Sequence, residues 1–394
     1  MSKINVRNFQ NENEDGAPDL VGITTFSATS YFVPTKGTTA QRPPNHLEEG
    51  SIRFNTDTKN LEYYRGHTIG WAQFELIDPE LGGGTGSNTG VGARGVFING
   101  YITGSDSTNV LDFVTISTLG NATDFGDTTV KKQYQGGAAS RTRGYSIGGE
   151  SPGSPNGIAS IDTFVFASTG NATDYGDLTQ AAEFIMSFSD ATRAVSNLGM
   201  IGGANKQNVL EYFNMASTGS AVDFGDMSYA NYNGPTTQSS IRGFFMGGQD
   251  PASSPFYTDR ISAITTSTLG SHVDWGDLLK DRSNIPAGFG NSTRGFCAGG
   301  ADQPYTGDFN TIQFFSVVTA GNATDFGDLN TNFEYICGTS DTTRGLIAQG
   351  QTGGSPYNTI EFITMSTTGN ARDFGDLTVA RYGGKAVSNA HGGL

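Results

Sequence analysis

Between Asp124 and Asp376 the chain writes Asp-aromatic-Gly-Asp six times: Asp124-Phe125-Gly126-Asp127, Asp174-Tyr175-Gly176-Asp177, Asp223-Phe224-Gly225-Asp226, Asp274-Trp275-Gly276-Asp277, Asp325-Phe326-Gly327-Asp328 and Asp373-Phe374-Gly375-Asp376. Successive first aspartates lie 50, 49, 51, 51 and 48 residues apart. A period near fifty, rich in glycine, aromatic and β-branched residues and lacking helical periodicity, predicts an all-β, six-bladed kelch-like β-propeller with one repeat per blade. Residues 1–80 do not repeat and read as a small N-terminal β region, residues 81–93 as a Gly-rich linker, and residues 94–394 as the propeller.

Each unit opens on Arg-Gly or a near variant, at Arg94, Arg143, Arg193, Arg242, Arg294 and Arg344. An apolar run and usually a glycine pair follow, as in Arg242-Gly243-Phe244-Phe245-Met246-Gly247-Gly248, which reads as a strand ending in a turn. A second strand such as Asn109-Val110-Leu111-Asp112-Phe113-Val114 ends in a Ser-Thr-Gly-Asn turn. The Asp-aromatic-Gly-Asp segment opens a third strand, and a fourth precedes the next arginine. The tail stops at the slot where a seventh arginine would stand, so residues near 382–390 are expected to supply the strand that the Arg94 unit lacks, since closure leaves no open edge.

Spacing separates the rigid parts from the variable ones. The turn glycine (Gly120, Gly170, Gly219, Gly270, Gly321, Gly369) precedes the first motif aspartate by four positions in all six copies. After the glycine pair the spacing varies: 4 residues separate Gly203 from Asn208, 8 separate Gly100 from Asn109, and 10 separate Gly248 from Asp259. Loops of variable length on a rigid scaffold are where binding resides. Their aromatics, Phe256, Tyr257, Tyr305, Phe309 and Tyr357, are the candidate contact residues.

The net charge of −15 comes partly from the motif itself, which holds 12 of the 38 acidic residues. No cluster of Lys and Arg suits a phosphate backbone, so nucleic acid is excluded as a partner. Two cysteines, Cys297 and Cys337, form no disulfide framework and read as small core residues. No signal-peptide core and no apolar run of membrane-spanning length is present, so folding in a cytoplasm is expected.

The motif aspartates, Asp124, Asp127, Asp174, Asp177, Asp223, Asp226, Asp274, Asp277, Asp325, Asp328, Asp373 and Asp376, read as turn residues whose carboxylates accept backbone N–H bonds. Structural calcium is the alternative, because paired carboxylates suit that ion; no other cofactor is indicated. Their period, shared with the arginines, suggests an ion pair between the two sets. A glycosidase needs two carboxylates at a defined separation, and no such pair stands out. The histidines, His46, His67, His272 and His391, are scattered, and Asn121, Asn171 and Asn322 carry glycosylation-like triplets that read as turn chemistry.

Residues 50–66 alternate apolar and polar around an Asn/Asp/Thr turn and, with Trp71, form a small β-meander that needs a partner surface. Residues 34–44 read as an extended arm. The run Gly37-Thr38-Thr39-Ala40-Gln41-Arg42-Pro43, then Ser51-Ile52-Arg53-Phe54-Asn55-Thr56-Asp57-Thr58 and Leu61-Glu62-Tyr63-Tyr64, resembles a segment common in tail-fibre and other virion proteins of tailed phages. The repeat wording Ser-Thr-Gly-Asn-Ala-Thr-Asp-Phe-Gly-Asp-Leu-Thr and the closing His391-Gly392-Gly393-Leu394 are similar to kelch-like virion proteins of phages infecting marine cyanobacteria. The resemblance implies a non-enzymatic virion protein, a tail-fibre or appendage component. It would attach to other virion proteins through its N-terminal region and present the propeller to a host-surface glycan or protein. A homo-oligomer, such as the trimer common among fibres, goes with it. A capsid-surface decoration protein, or a lectin or glycan-active enzyme on the same fold, are the alternatives.

Overall fold

The computed structural model describes residues 34–43, 48–58, 60–73, 93–104, 106–252, 256–302 and 307–394. Tyr305 and all of the glycine-rich stretch but Ala93 lie outside them. The chain divides into two compact units, Met1–Asp78 and Pro79–Leu394. Both are built from strands; among the described residues there is no α-helix.

In the first unit, β1 (Lys36–Gly37), β2 (Ile52–Asn55), β3 (Asn60–Tyr64) and β4 (Trp71–Gln73) form one sheet in that order. The segment expected as an extended arm is part of it: β1 runs parallel to β2, with Lys36 opposite Phe54. A 3-10 turn, Thr39–Gln41, then carries the chain to Arg42, and the Thr38 N–H donates to Gln41 Oε1 at 2.9 Å. The fully buried Glu62 carboxylate accepts from Arg42 at 2.6 Å and Asn55 at 3.1 Å and lies 3.2 Å from Arg53. A buried carboxylate needs such partners, so Glu62 fixes the arm to the meander.

The second unit consists mainly of six antiparallel sheets, five of four strands and one of five, none closed on itself. Each takes its name here from the arginine that begins its second strand. The Arg143 sheet has the order Gly136–Ala139, Arg143–Ser151, Ser154–Val165, Thr173–Ala182. Its short lead strand has counterparts in Met186–Ser189, Thr236–Gln238, Ala287–Gly290, Cys337–Ser340 and Lys385–Ser388. Lys385–Ser388 pairs with Arg94–Ile102, Lys385 opposite Ile98 and Ser388 opposite Gly95. The lead strands touch in a cycle, each meeting the next and Lys385–Ser388 meeting Gly136–Ala139.

The repeated motif is a β-bulge. In the Arg94 sheet Leu111 pairs with Gly126 and Asp112 with Asp124, which leaves Phe125 as the extra residue. The same skip occurs at Tyr175, Phe224, Trp275, Phe326 and Phe374. An extra residue bends the strand and re-aims its side chain. Here it turns the ring into the core, where all six rings are at most 7% exposed.

The bulge also joins sheets. The Gly170 N–H donates to Phe125 O at 2.7 Å, the Ala172 N–H to Asp127 O at 2.8 Å, and the Asp127 N–H to Asn171 Oδ1 at 3.1 Å. Each outer strand is thus hydrogen-bonded to the Ser-Thr-Gly-Asn turn of the next sheet. The series returns to its start, with the Gly120 N–H donating to Phe374 O at 2.9 Å and the Asp376 N–H to Asn121 Oδ1 at 3.1 Å. Motif glycine is required by this approach: a Cβ on Gly375, at φ 149°, would meet Gly120 O at 2.4 Å. The carboxylates do less than expected. Among the described residues only Asp223 accepts a backbone N–H inside the motif, from Gly225 at 3.1 Å.

The pairing of repeated arginines with motif aspartates does not occur among the described residues. Arg94, Arg193, Arg294 and Arg344 lie over Phe113, Tyr212, Phe314 and Phe362, 4.6 to 5.2 Å from the ring centres. They donate to carbonyls just past the third strand of the next sheet: Phe166, Thr266, Met365 and Ile116. The reason is sheet geometry. In these four copies the third-strand ring is adjacent to the arginine, while the motif lies on the fourth strand, roughly 9–10 Å across the sheet. In the Arg242 copy, where that slot is Ala263, the guanidinium lies over the motif ring of Trp275 at 4.9 Å.

A third repeated joint is polar and buried. Asp162 accepts from Thr129 Oγ1 at 2.5 Å, Glu211 from the Thr179 hydroxyl, Gln313 Oε1 from the Leu279 N–H at 2.7 Å, Glu361 from the Asn330 N–H at 3.1 Å, and Asp112 from the Thr378 N–H at 3.1 Å. Every acceptor sits on a third strand and every donor just after the preceding sheet's motif. Two joints add buried ion pairs, Lys132 with Asp162 and Arg381 with Asp112, each at 3.0 Å.

Candidate functional site

The loops that follow the motif strands meet the loops that follow the glycine pairs through single β-bridges: Gln133 with Glu150, Glu183 with Met200, Tyr232 with Gln249, Ser283 with Ala301, Glu334 with Gln351 and Tyr382 with Tyr101. The next residue in each copy adopts a left-handed backbone: Tyr134, Phe184, Asn233, Asn284, Tyr335 and Gly383, with φ from 54° to 67°. For an aromatic residue that conformation costs on the order of 1–3 kcal/mol, and it persists because the bridges and lead strands on either side fix the chain.

The strain places rings together above the lead strands. Tyr134 stacks on Phe184 at 4.4 Å and lies 5.7 Å from Tyr335; Tyr335 meets Tyr382 at 5.8 Å, Tyr382 meets Tyr101 at 5.0 Å, and Phe184 meets Tyr232 at 6.2 Å. All six are half-buried. Gly383 makes the gathering possible, since a Cβ there would lie 2.6 Å from the Tyr134 ring. Polar groups surround the rings: Gln133 Nε2 donates to Glu150 at 3.2 Å, Asn284 Nδ2 and Gln351 Nε2 donate to Glu334 at 2.7 and 3.0 Å, and Tyr232 donates its hydroxyl to Gln249 at 2.5 Å. Burial, and then the nearby Glu150, push the Glu183 carboxyl up to about 7. Rings with half-exposed faces beside amides and carboxylates form a surface suited to stacking and hydrogen bonding.

Below this bowl all six lead strands line a cavity of about 30 Å³, together with His391. It has room for about one water. Lys385 lines both it and a smaller space under Tyr134 and Phe184, and burial lowers its ammonium to about 8. At the far ends of the strands the tail crosses over. His391 Nε2 donates to Ala139 O at 2.8 Å while Nδ1 accepts from the Gly393 N–H at 3.1 Å, an arrangement that requires the neutral ring. Burial accordingly lowers His391 to about 4.

Of the loop aromatics picked from sequence, Tyr257 reaches the bowl, 3.4 Å from Asn284. Phe256 is 52% exposed outside it. Phe309 lies under the Arg282 guanidinium at 4.0 Å, and Tyr357 packs edge-on against Phe333 at 5.1 Å. The remaining bowl rings were missed, although the signal was present. The left-handed residue follows the first motif aspartate by ten positions in all six copies. Among the described residues no three His, Cys, Asp or Glu side chains gather as a metal ion would require. Cys297 and Cys337 are buried free thiols, pushed up to about 12 by burial. Compared with known proteins, the sequence matches no family model and no curated protein.

Proposed function

We propose that the second unit is a six-bladed β-propeller and that the chain is a non-enzymatic structural protein of a phage particle. In this reading it is a tail-fibre or appendage component whose aromatic bowl holds a host-surface group or a neighbouring subunit, while the N-terminal unit attaches to other virion proteins. Six like sheets, a cycle of lead strands and a final strand that completes the first sheet support the propeller. The observation that carries recognition is the bowl: six linked rings, three of them on left-handed residues, held half-exposed by hydrogen-bonded loops above an axis already filled by Lys385 and the tail. A ligand there rests on the rings instead of entering a channel. The particle role comes from the resemblance of the N-terminal run and the repeat wording to phage virion proteins; capsid-surface decoration is the other placement it allows.

Immunolabelling of purified particles tests the role, and absence of the chain from them overturns it. Tyr134→Ala with Phe184→Ala should abolish attachment of the isolated protein to host cells while leaving its thermal unfolding cooperative; unchanged attachment removes the bowl from the reading. One observation favours a glycan-active enzyme as the second reading, the raised carboxyl of Glu183 beside Glu150. The Glu183 side chain is only 3% exposed, which leaves it little access to a substrate. Glycan cleavage that disappears in Glu183→Gln would establish that reading over the first.

A further inference from the structure

The joint between the Arg193 and Arg242 sheets departs from the repeat at four positions that meet in space. At the His272 slot the other copies have Ala122, Ala172, Ala221, Ala323 and Ala371. Ser262 stands where the others place Asp112, Asp162, Glu211, Gln313 and Glu361, the acceptors of the buried joint. Arg260 replaces Val, Ser or Thr, and Tyr229 replaces Val, Gln, Lys or Thr. With the short serine the joint is spanned by the Tyr229 hydroxyl, 2.7 Å from Ser262 Oγ. A cleft of about 570 Å³ results, lined by these four residues with Ser228, Asp250, Ala252, Asp274 and Asp277.

Its chemistry is mixed and ordered. Arg260 is paired with Asp250 at 2.9 Å and lies over the Tyr229 ring at 5.0 Å. His272 meets that ring edge-on at 5.2 Å, its Nε2 lies 3.4 Å from Ser228 Oγ, and its buried Nδ1 has no partner. Burial, and then the charges of Asp259 and Asp274, raise the Asp277 carboxyl. Volumes of this order hold small molecules.

We propose that this cleft binds one neutral pyranose unit of a glycan. Three aspartates in the lining against one arginine repel an anionic ligand. A bare ammonium would gain from the aspartates but meet Arg260. Sugar hydroxyls both donate and accept, so they satisfy carboxylates, guanidinium, imidazole and the serine hydroxyls at once. Four coincident exceptions at one joint of a sixfold repeat, all lining one opening, are hard to account for as scaffold, because the scaffold elsewhere uses alanine and a buried acceptor. The inference takes from the recognition reading only the source of the sugar; its site is separate from the bowl.

The test is saturation-transfer NMR and calorimetry on the full chain with methyl glycosides of glucose, galactose, mannose and N-acetylglucosamine, with glucuronate and methylamine as charged comparators. At least one neutral glycoside should bind and the comparators should not. The double variant Arg260→Thr and His272→Ala carries residues that other copies hold in those slots, so it should fold, and its affinity should fall roughly tenfold or more through lost hydrogen bonds. In the Tyr134→Ala, Phe184→Ala background, Arg260→Thr with His272→Ala should still lower glycoside affinity, which keeps this outcome distinct from failure of the bowl. No binding by any neutral glycoside, preference for glucuronate or methylamine, or unaltered affinity in the double variant overturns the proposal.

Discussion

Arg381 and Asp112 form a fully buried ion pair at 3.0 Å, and the same carboxylate accepts from the Thr378 N–H and hydroxyl. The pair bonds the last motif strand to the third strand of the first sheet. Truncating Asp112 leaves a guanidinium buried without its counter-charge, which typically costs about 3–5 kcal/mol. Asp112→Ala should therefore lower the melting temperature sharply, as read by calorimetry; a loss comparable to a surface substitution would contradict the finding.

The equivalent cation in another joint has no acid at the third-strand slot. Arg282 is 1% exposed, its Nε and Nη1 have no hydrogen-bond partner, and the third-strand residue at the slot equivalent to Asp112 is Gln313, whose Nε2 is also unsatisfied. Gln313→Asp retains an acceptor for the Leu279 N–H and supplies the charge. Stability should rise by on the order of 1–3 kcal/mol, since an unpaired buried cation gains a partner. A chemical-denaturation midpoint that stays put or falls would count against it.

The motif glycines allow two backbones to touch. Gly375→Ala places a methyl 2.4 Å from Gly120 O at φ 149°, and a loss of about 2–4 kcal/mol is expected from strain and displacement together. Gly153→Ala, with ordinary φ and nothing near the new methyl, should stay within about 0.5 kcal/mol. Equal effects at the two positions would refute the close approach.

His391 makes stability depend on pH. Its folded value, about 4, lies below the ordinary 6.5. Above 6.5 the ring is neutral in both states and costs nothing; as pH falls from 6.5 toward 4, only the unfolded chain takes up the proton, so stability is lost. The loss attributable to this group is on the order of 3 kcal/mol by pH 4. His391→Gln should flatten the fall in melting temperature across that window relative to the parent. Parallel profiles would show that the tail does not hold a neutral imidazole.

The repeat was legible because the bulge needs the same three features at each recurrence: an aromatic to fill the core, a glycine to meet the next turn, and a fixed offset from that turn. What was harder to read is the work divided between unlike residues. Asp112, Glu211 and Gln313 occupy one slot and accept one kind of bond, yet share no residue type. The arginines follow the same lesson: equal period with the aspartates reflected equal membership of a sheet, and distance across the strands sent them to rings and carbonyls instead. The bowl residues were obscured because backbone conformation, not side-chain chemistry, is what Tyr134, Asn233 and Gly383 have in common. In the first unit, the arm could be seen as extended, but the buried Glu62 that ties Arg42 to the sheet lies beyond what local pattern reveals.

Arg94 and Asn389, which hydrogen-bond at 2.8 Å, are separated by 295 positions. A ribosome therefore finishes three strands of the Arg94 sheet long before it makes Lys385–Ser388. Throughout that interval the strand Arg94–Ile102 offers an unpaired edge to any passing chain. Assembly of the whole array waits on its latest-made few residues, and chains released early are the ones expected to clump.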